Sequence, residues 1–133
     1  MADYCATVRS NYFKVKDPLL FDTFCERWGL EKLSKSSGTL VGFTPDPMSS
    51  CHGTIEGPPE EDCPDFAHEL SQQLEDGEVA IWMEAGNEKL RYVHGTACAV
   101  NSKGKLKTVS LYDIYKKAEK LTDRPKDISA CEY

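Results

Sequence analysis

EVAIWMEAGNEKLRYVHGTACAVNSKGKLKTV, residues 78–109, is the stretch that decides the fold. It opens with EVAIWMEA, an apolar and aromatic run, and breaks at GNEK, a turn composition. LRYVHGTACAV is a second apolar run, NSKGK a second turn, and LKTVS a third strand-like run. Runs of this length and make-up, joined by short Gly- and Asn-bearing connections, predict a three-stranded antiparallel meander. Immediately after it, Ser110 opens SLYD, a Ser-x-x-Asp pattern related to the capping box. Leu111, Ile114, Tyr115, Ala118 and Leu121 then recur at helical spacing and predict the apolar face of a last helix. The segment after it, 124–133, reads as an irregular tail.

Towards the N-terminus, residues 4–15, YCATVRSNYFKV, alternate and predict a strand. Asp17-Pro18 starts a helix: the carboxylate accepts from orphan backbone donors, and Pro18 loses nothing by lacking an N–H. Leu20, Phe21, Phe24 and Trp28 fall on one face of that helix, and Gly29 suits its left-handed C-terminal cap. Residues 30–35 and 38–43 predict two short strands. Residues 44–62 hold four prolines and two glycines and predict a turn-rich acidic loop, within which CHGTI can pair as an edge strand. A second helix is predicted to begin near Cys63-Pro64, with Phe66, Leu70 and Leu74 on one face and Gly77 closing it. The order β-α-β-β-α-β-β-β-α over residues 1–133 predicts one α+β domain. Its sheet is mostly antiparallel, with about three helices packed on one face. The aromatic and apolar set Phe21, Phe24, Trp28, Phe66, Trp82, Tyr92, Ile114 and Tyr115 supplies the expected core, with Trp82 and Tyr92 placed to pair across neighbouring strands.

The chain has 133 residues, 40% hydrophobic, with a net charge of −6. That is enough for one core. The charge is segregated. From Ser36 to Glu88 there are twelve carboxylates and no Lys or Arg, whereas residues 89–133 carry ten bases and five acids. Asymmetry of this kind bears on partners. No apolar run approaches the ~18–20 residues of a membrane span, and MADYCATVRS lacks the charged and apolar regions of a signal peptide. The expectation is a chain of the bacterial cytoplasm without membrane association, its six cysteines kept as thiols.

Two stretches considered together carry a family resemblance. RSNYFKVKD followed by FDTFCERWGLE, and GEVAIWMEAGNEKLRYVHGTACAVNSKGK followed by VSLYDIYKKA, resemble small acidic accessory proteins carried by phages and conjugative elements. The likeness spans about two thirds of the chain and leaves out the middle segment. It implies a genetic context in which such proteins blunt host defence, several of them by mimicking nucleic acid, as anti-CRISPR proteins do. It transfers no catalytic residue.

The acidic segment is the leading candidate site. Duplex DNA presents one charge per ~1.7 Å of axis, and basic clefts bind it by releasing counterions. Fixed carboxylates occupy the same cleft, because Arg grips them in the bidentate fork it uses for phosphate. The residues expected to contact a partner are Asp46, Glu56, Glu60, Glu61, Asp62, Asp65, Glu69, Glu75 and Asp76. The partner expected is a host protein or ribonucleoprotein with a basic cleft, met by a monomer or a homodimer. The bland alternative is an acidic loop that keeps the protein soluble. A second candidate is zinc on Cys51, His52, Cys63 and His68, in a metal-stapled domain or small enzyme. Its spacing is poor, since Cys51 and His52 are adjacent and there is no C-x-x-C knuckle, so no cofactor is expected. Cys98 and His94 lie four apart on one strand, ~13 Å along it, too far for a nucleophile–base pair. Lys103, Lys105 and Lys107 share a strand face, and Lys116, Lys117 and Lys120 follow on the last helix. They read as a solvated face or a guarded edge. Direct nucleic-acid binding is not expected of so acidic a chain.

Overall fold

A computed structural model describes residues 4–35, 38–45, 65–88 and 92–131. Its larger sheet holds four antiparallel strands in the order β1-β4-β5-β6: β1 (Tyr4–Ser10), β4 (Val79–Glu88), β5 (Tyr92–Asn101) and β6 (Leu106–Ser110). A separate hairpin pairs β2 (Leu30–Ser34) with β3 (Val41–Pro45). The helices are α1 (Pro18–Arg27), α2 (Phe66–Gln73) and α3 (Asp113–Ala118). The α+β class and the antiparallel meander are as the sequence predicts.

Local chemistry explains most boundaries. Asp17 caps α1 by accepting from the Leu19 N–H at 2.9 Å, with Pro18 in the first helical position. Gly29, at φ +66°, turns the chain out of α1 into β2. The N-cap of α2 is Asp65, which accepts from the His68 N–H at 3.0 Å, so the helix starts after Cys63-Pro64. Ser110 and Asp113 form only half of the capping pair their spacing predicts, because the cap of α3 is Tyr112 and not Ser110. The Ser110 N–H donates to Asp113 Oδ2 at 2.9 Å, and Ser110 Oγ accepts from the Tyr112 N–H at 3.2 Å. The turn after β5 is held by Asn101 Oδ1, which accepts from the N–H groups of Lys103 and Lys105 at 3.0 and 2.9 Å.

The core lies between one face of the larger sheet and a layer made of α1, α2 and the β2–β3 hairpin. Phe13, Phe21, Phe43, Leu70 and Leu74 are sealed there against Ala80 and Val100 of the sheet. The rings interlock at preferred geometry. Phe66 meets Trp28 edge-on at 4.9 Å and Trp82 at 5.3 Å, and Phe43 meets Phe66 at 5.5 Å. Beyond β1 the chain threads through this layer by two single bridges, Phe13 to Val41 and Val15 to Leu74. That is why β1 stops at Ser10 instead of running to residue 15.

Other expectations fail as well. Leu20 is 58% exposed, and Cys25 takes its place on the buried face of α1. GNEK is not the turn: Gly86, Asn87 and Glu88 pair with His94, Val93 and Tyr92, so both strands run longer. Trp82 therefore lies opposite Cys98 and not Tyr92. The last helix does not join the core. None of its residues is buried, and Leu111, Ile114 and Leu121 are 54%, 58% and 88% exposed. The element is short, six helical residues followed by a 3-10 turn at Glu119–Leu121. The tail is partly ordered by a 3-10 turn at Pro125–Asp127 and by the Cys131 N–H, which donates to Tyr115 Oη at 2.8 Å.

Cys25 reports on the core. It is 3% exposed, and burial, then the nearby Asp22 carboxylate, push its thiol from 9.0 up to about 12 against the opposing pull of Lys32. Above pH 9 the unfolded chain ionises here while the folded chain stays protonated. Stability from this group is thus complete below about pH 9 and falls by at most ~1.4 kcal/mol per pH unit up to about pH 12. Cys25→Ala should remove that part of the alkaline slope. Urea titrations of both proteins at several values from pH 8 to 11 measure it, and parallel slopes would show that the thiol is not sequestered.

Candidate interaction surface

The acidic residues divide into three groups. Asp46, Glu56, Glu60, Glu61 and Asp62 lie outside the described residues, as do Cys51, His52, Cys63 and the CHGTI segment. Asp65, Glu75 and Asp76 are exposed at the two ends of α2. Asp65 is also the helix cap, so it serves the fold as well as the surface.

Glu69 forms a group of its own. It sits one turn into α2, and its carboxylate is gripped from both sides. Arg27 Nη2 donates to Oε1 at 3.0 Å, and Trp28 Nε1 donates to Oε2 at 2.5 Å. The side chain keeps 24% exposure, and Trp28 only 4%. This carboxylate ties the end of α1 to the start of α2, so its lone pairs are committed within the molecule. The sequence placed it on the acidic surface because nothing in the spacing of residues 27, 28 and 69 reveals that they meet. Two further acids of the segment are engaged within the molecule: Glu78 Oε1 accepts from the Lys14 N–H at 2.8 Å, and Glu84 lies 3.3 Å from His94 Nε2.

His68 pairs with Gln72 at 3.2 Å, and no group of three or more His, Cys, Asp or Glu side chains gathers as a metal site among the described residues. Cys98 faces the same side as Glu84. Burial, then that carboxylate, hold its thiol above the ordinary value, which disfavours the thiolate a nucleophile needs. No helix among the described residues is long and apolar enough to cross a membrane.

A second surface escaped the sequence reading. The pairing register puts Ala80, Trp82, Cys98 and Val100 on the core side of the sheet and Met83, Ala97 and Val109 on the opposite side. No described element packs on that opposite side. Met83 and Val109 are each 62% exposed there, and Val93 55%. Between them lies a shallow, mainly apolar hollow of about 290 Å³, floored by Ala85, Gly95 and Ala97 and walled by Met83, Val109 and Leu111. Gly95 lets Leu111 approach its floor closely: a Cβ there would come within 2.6 Å of Leu111 Cδ1 and would displace that side chain. Arg9 on β1 and Lys107 on β6 share this face and stand towards its two edges.

The chain matches no family model, no curated protein and no solved structure.

Its function is therefore argued from its own residues. A signal for the second surface was present in β4: VAIWM is apolar at both parities, Val79, Ile81 and Met83 on one and Ala80 and Trp82 on the other. Strands apolar on both sides belong to sheets covered on both faces.

Proposed function

We propose that this protein is a binding inhibitor, without catalytic activity, of a host defence nucleoprotein complex of the anti-CRISPR kind. Its acidic segment occupies a basic nucleic-acid-binding site. The observation that carries the reading is the charge segregation: twelve carboxylates and no base between Ser36 and Glu88. Three of these acids, Asp65, Glu75 and Asp76, are exposed at the ends of α2. Glu69 does not belong to the binding set, because Arg27 and Trp28 hold it. A surface of one sign speeds encounter with a cationic cleft and fixes the register of docking, and its contribution falls with salt.

The test is capture from a bacterial lysate expressing a CRISPR effector, followed by elution with increasing salt. Wild-type protein should retain the effector at low salt and release it as salt rises. Reversal of Glu60, Glu61, Asp62, Glu75 and Asp76 to Lys removes five exchangeable contacts, each worth ~0.2–1 kcal/mol at exposed sites, and should weaken retention at least about fivefold. Asp65 and Glu69 are left intact so that capping and the α1–α2 tie are preserved. Equal retention by the reversed protein would end the acidic-surface reading.

A further inference from the structure

We infer that the uncovered face of the four-stranded sheet is where a second copy of this chain docks. The inference does not rest on the acidic binding set, although β4 lies within the acidic segment Ser36–Glu88.

Three observations support a second copy as the occupant. The first is composition. The central strands β4 and β5 are apolar on both parities, yet among the described residues only the side bearing Ala80, Trp82 and Val100 meets a core. The opposite side leaves Met83, Val93 and Val109 more than half exposed, an arrangement that marks an interaction surface when the side chains are contiguous.

The second is relief. A two-fold interface uses the same patch twice, so the patch must be complementary to itself. Here projecting side chains and a recess lie side by side. Met83, Val109 and Leu111 rise around a hollow lined by the small residues Ala85, Gly95 and Ala97, with Glu84, Thr96 and Ser110 completing it. Two such faces packed ~10 Å apart, as stacked sheets are, place the projecting Met83 of each copy over the recess of the other. The footprint is adequate. Two strands of ten residues flanked by strands of seven and five, at ~3.4 Å per residue and ~4.8 Å between strands, give ~500 Å² in projection. Side-chain relief raises that towards the ~800 Å² per partner of an ordinary specific interface.

The third is charge. A chain of net charge −6 repels its own copy wherever its acids face outward. Glu84, which borders the hollow, belongs to the other parity; by pairing parity no carboxylate of the described strand residues belongs to this side of the sheet. The charged groups that share it, Arg9 and Lys107, sit towards its edges. Long cationic side chains at an interface rim keep their heads in water while their stems cover apolar surface.

Sedimentation equilibrium over ~10–500 µM chain brackets the affinity expected of an interface of this size. Wild-type protein should approach twice the chain mass at the upper end. Met83→Glu and Val109→Glu, at positions 62% exposed, should keep the far-ultraviolet circular dichroism of the wild type and remain at the chain mass throughout. Leu20→Glu, on the exposed side of α1, should dimerise as the wild type does. A wild-type protein that stays monomeric over the whole range overturns the inference, as does a dimer indifferent to Met83→Glu and Val109→Glu. A measurement free of variants is the Met83 methyl resonance of wild-type protein followed on dilution. It should move with the fraction of dimer, and a fixed resonance across the mass transition overturns the placement.

Discussion

Phe43→Ala should lower stability by about 3–5 kcal/mol, the cost of emptying a sealed aromatic site. Phe43 is 0% exposed. It sits in the short hairpin, yet its ring meets Phe13, Phe66 and Trp82, with centroids at 6.3, 5.5 and 6.5 Å. The residues around it come from the segment after β1, from α2 and from β4, three separated parts of the chain. They cannot all collapse into the gap without breaking other contacts. Its backbone is fixed as well, because the Phe43 N–H donates to Ser10 Oγ at 2.7 Å. Small domains hold only ~5–15 kcal/mol in total, so the loss removes a large share of the whole. The urea midpoint should drop by roughly 2 M, given a slope of ~1–3 kcal/mol/M. A drop below about 0.5 M would mean that the hairpin is an appendage and not part of the core.

Glu69→Ala should cost about 2 kcal/mol. It deletes the ion pair to Arg27 and leaves Trp28 Nε1, in a ring only 4% exposed, without its acceptor. Glu69→Gln keeps an acceptor for the indole and loses the charge, so about half of the loss should return. Urea unfolding of the three proteins measures this order. A stability for Glu69→Ala within ~0.5 kcal/mol of the wild type, the range of ordinary surface substitutions, would show that the carboxylate is not a tie between helices. The same result would restore Glu69 to the acidic binding surface. The two roles are thus separated by unfolding alone, before any partner is in hand.

Both cases mark how far the linear sequence reaches. Asp17, Gly29 and the Ser110–Asp113 pair act over one to four residues, and their spacing revealed them without reference to the rest of the molecule. The meander was legible for the same reason: strand and turn compositions alternate within a single stretch, and antiparallel neighbours follow one another. The partners of Glu69 were not legible because a carboxylate with its partners 41 and 42 residues away has the same local signature as a solvated one. Ile114 and Leu121 were assigned to the core because periodicity reports that a helix has an apolar side, not that anything covers it.

The sequence by itself determined the class of fold, most helix starts and the segregation of acids from bases. All of these are properties of neighbouring residues or of composition. Only the tertiary structure decided which acids remain on the surface, that residues 13–15 thread between the hairpin and α2, and that one side of the sheet exposes Met83, Val93 and Val109 with no described element over it. Each depends on which distant segments meet. That is settled by closing the chain around a shared core, where packing competes among all segments at once and no local pattern records the outcome.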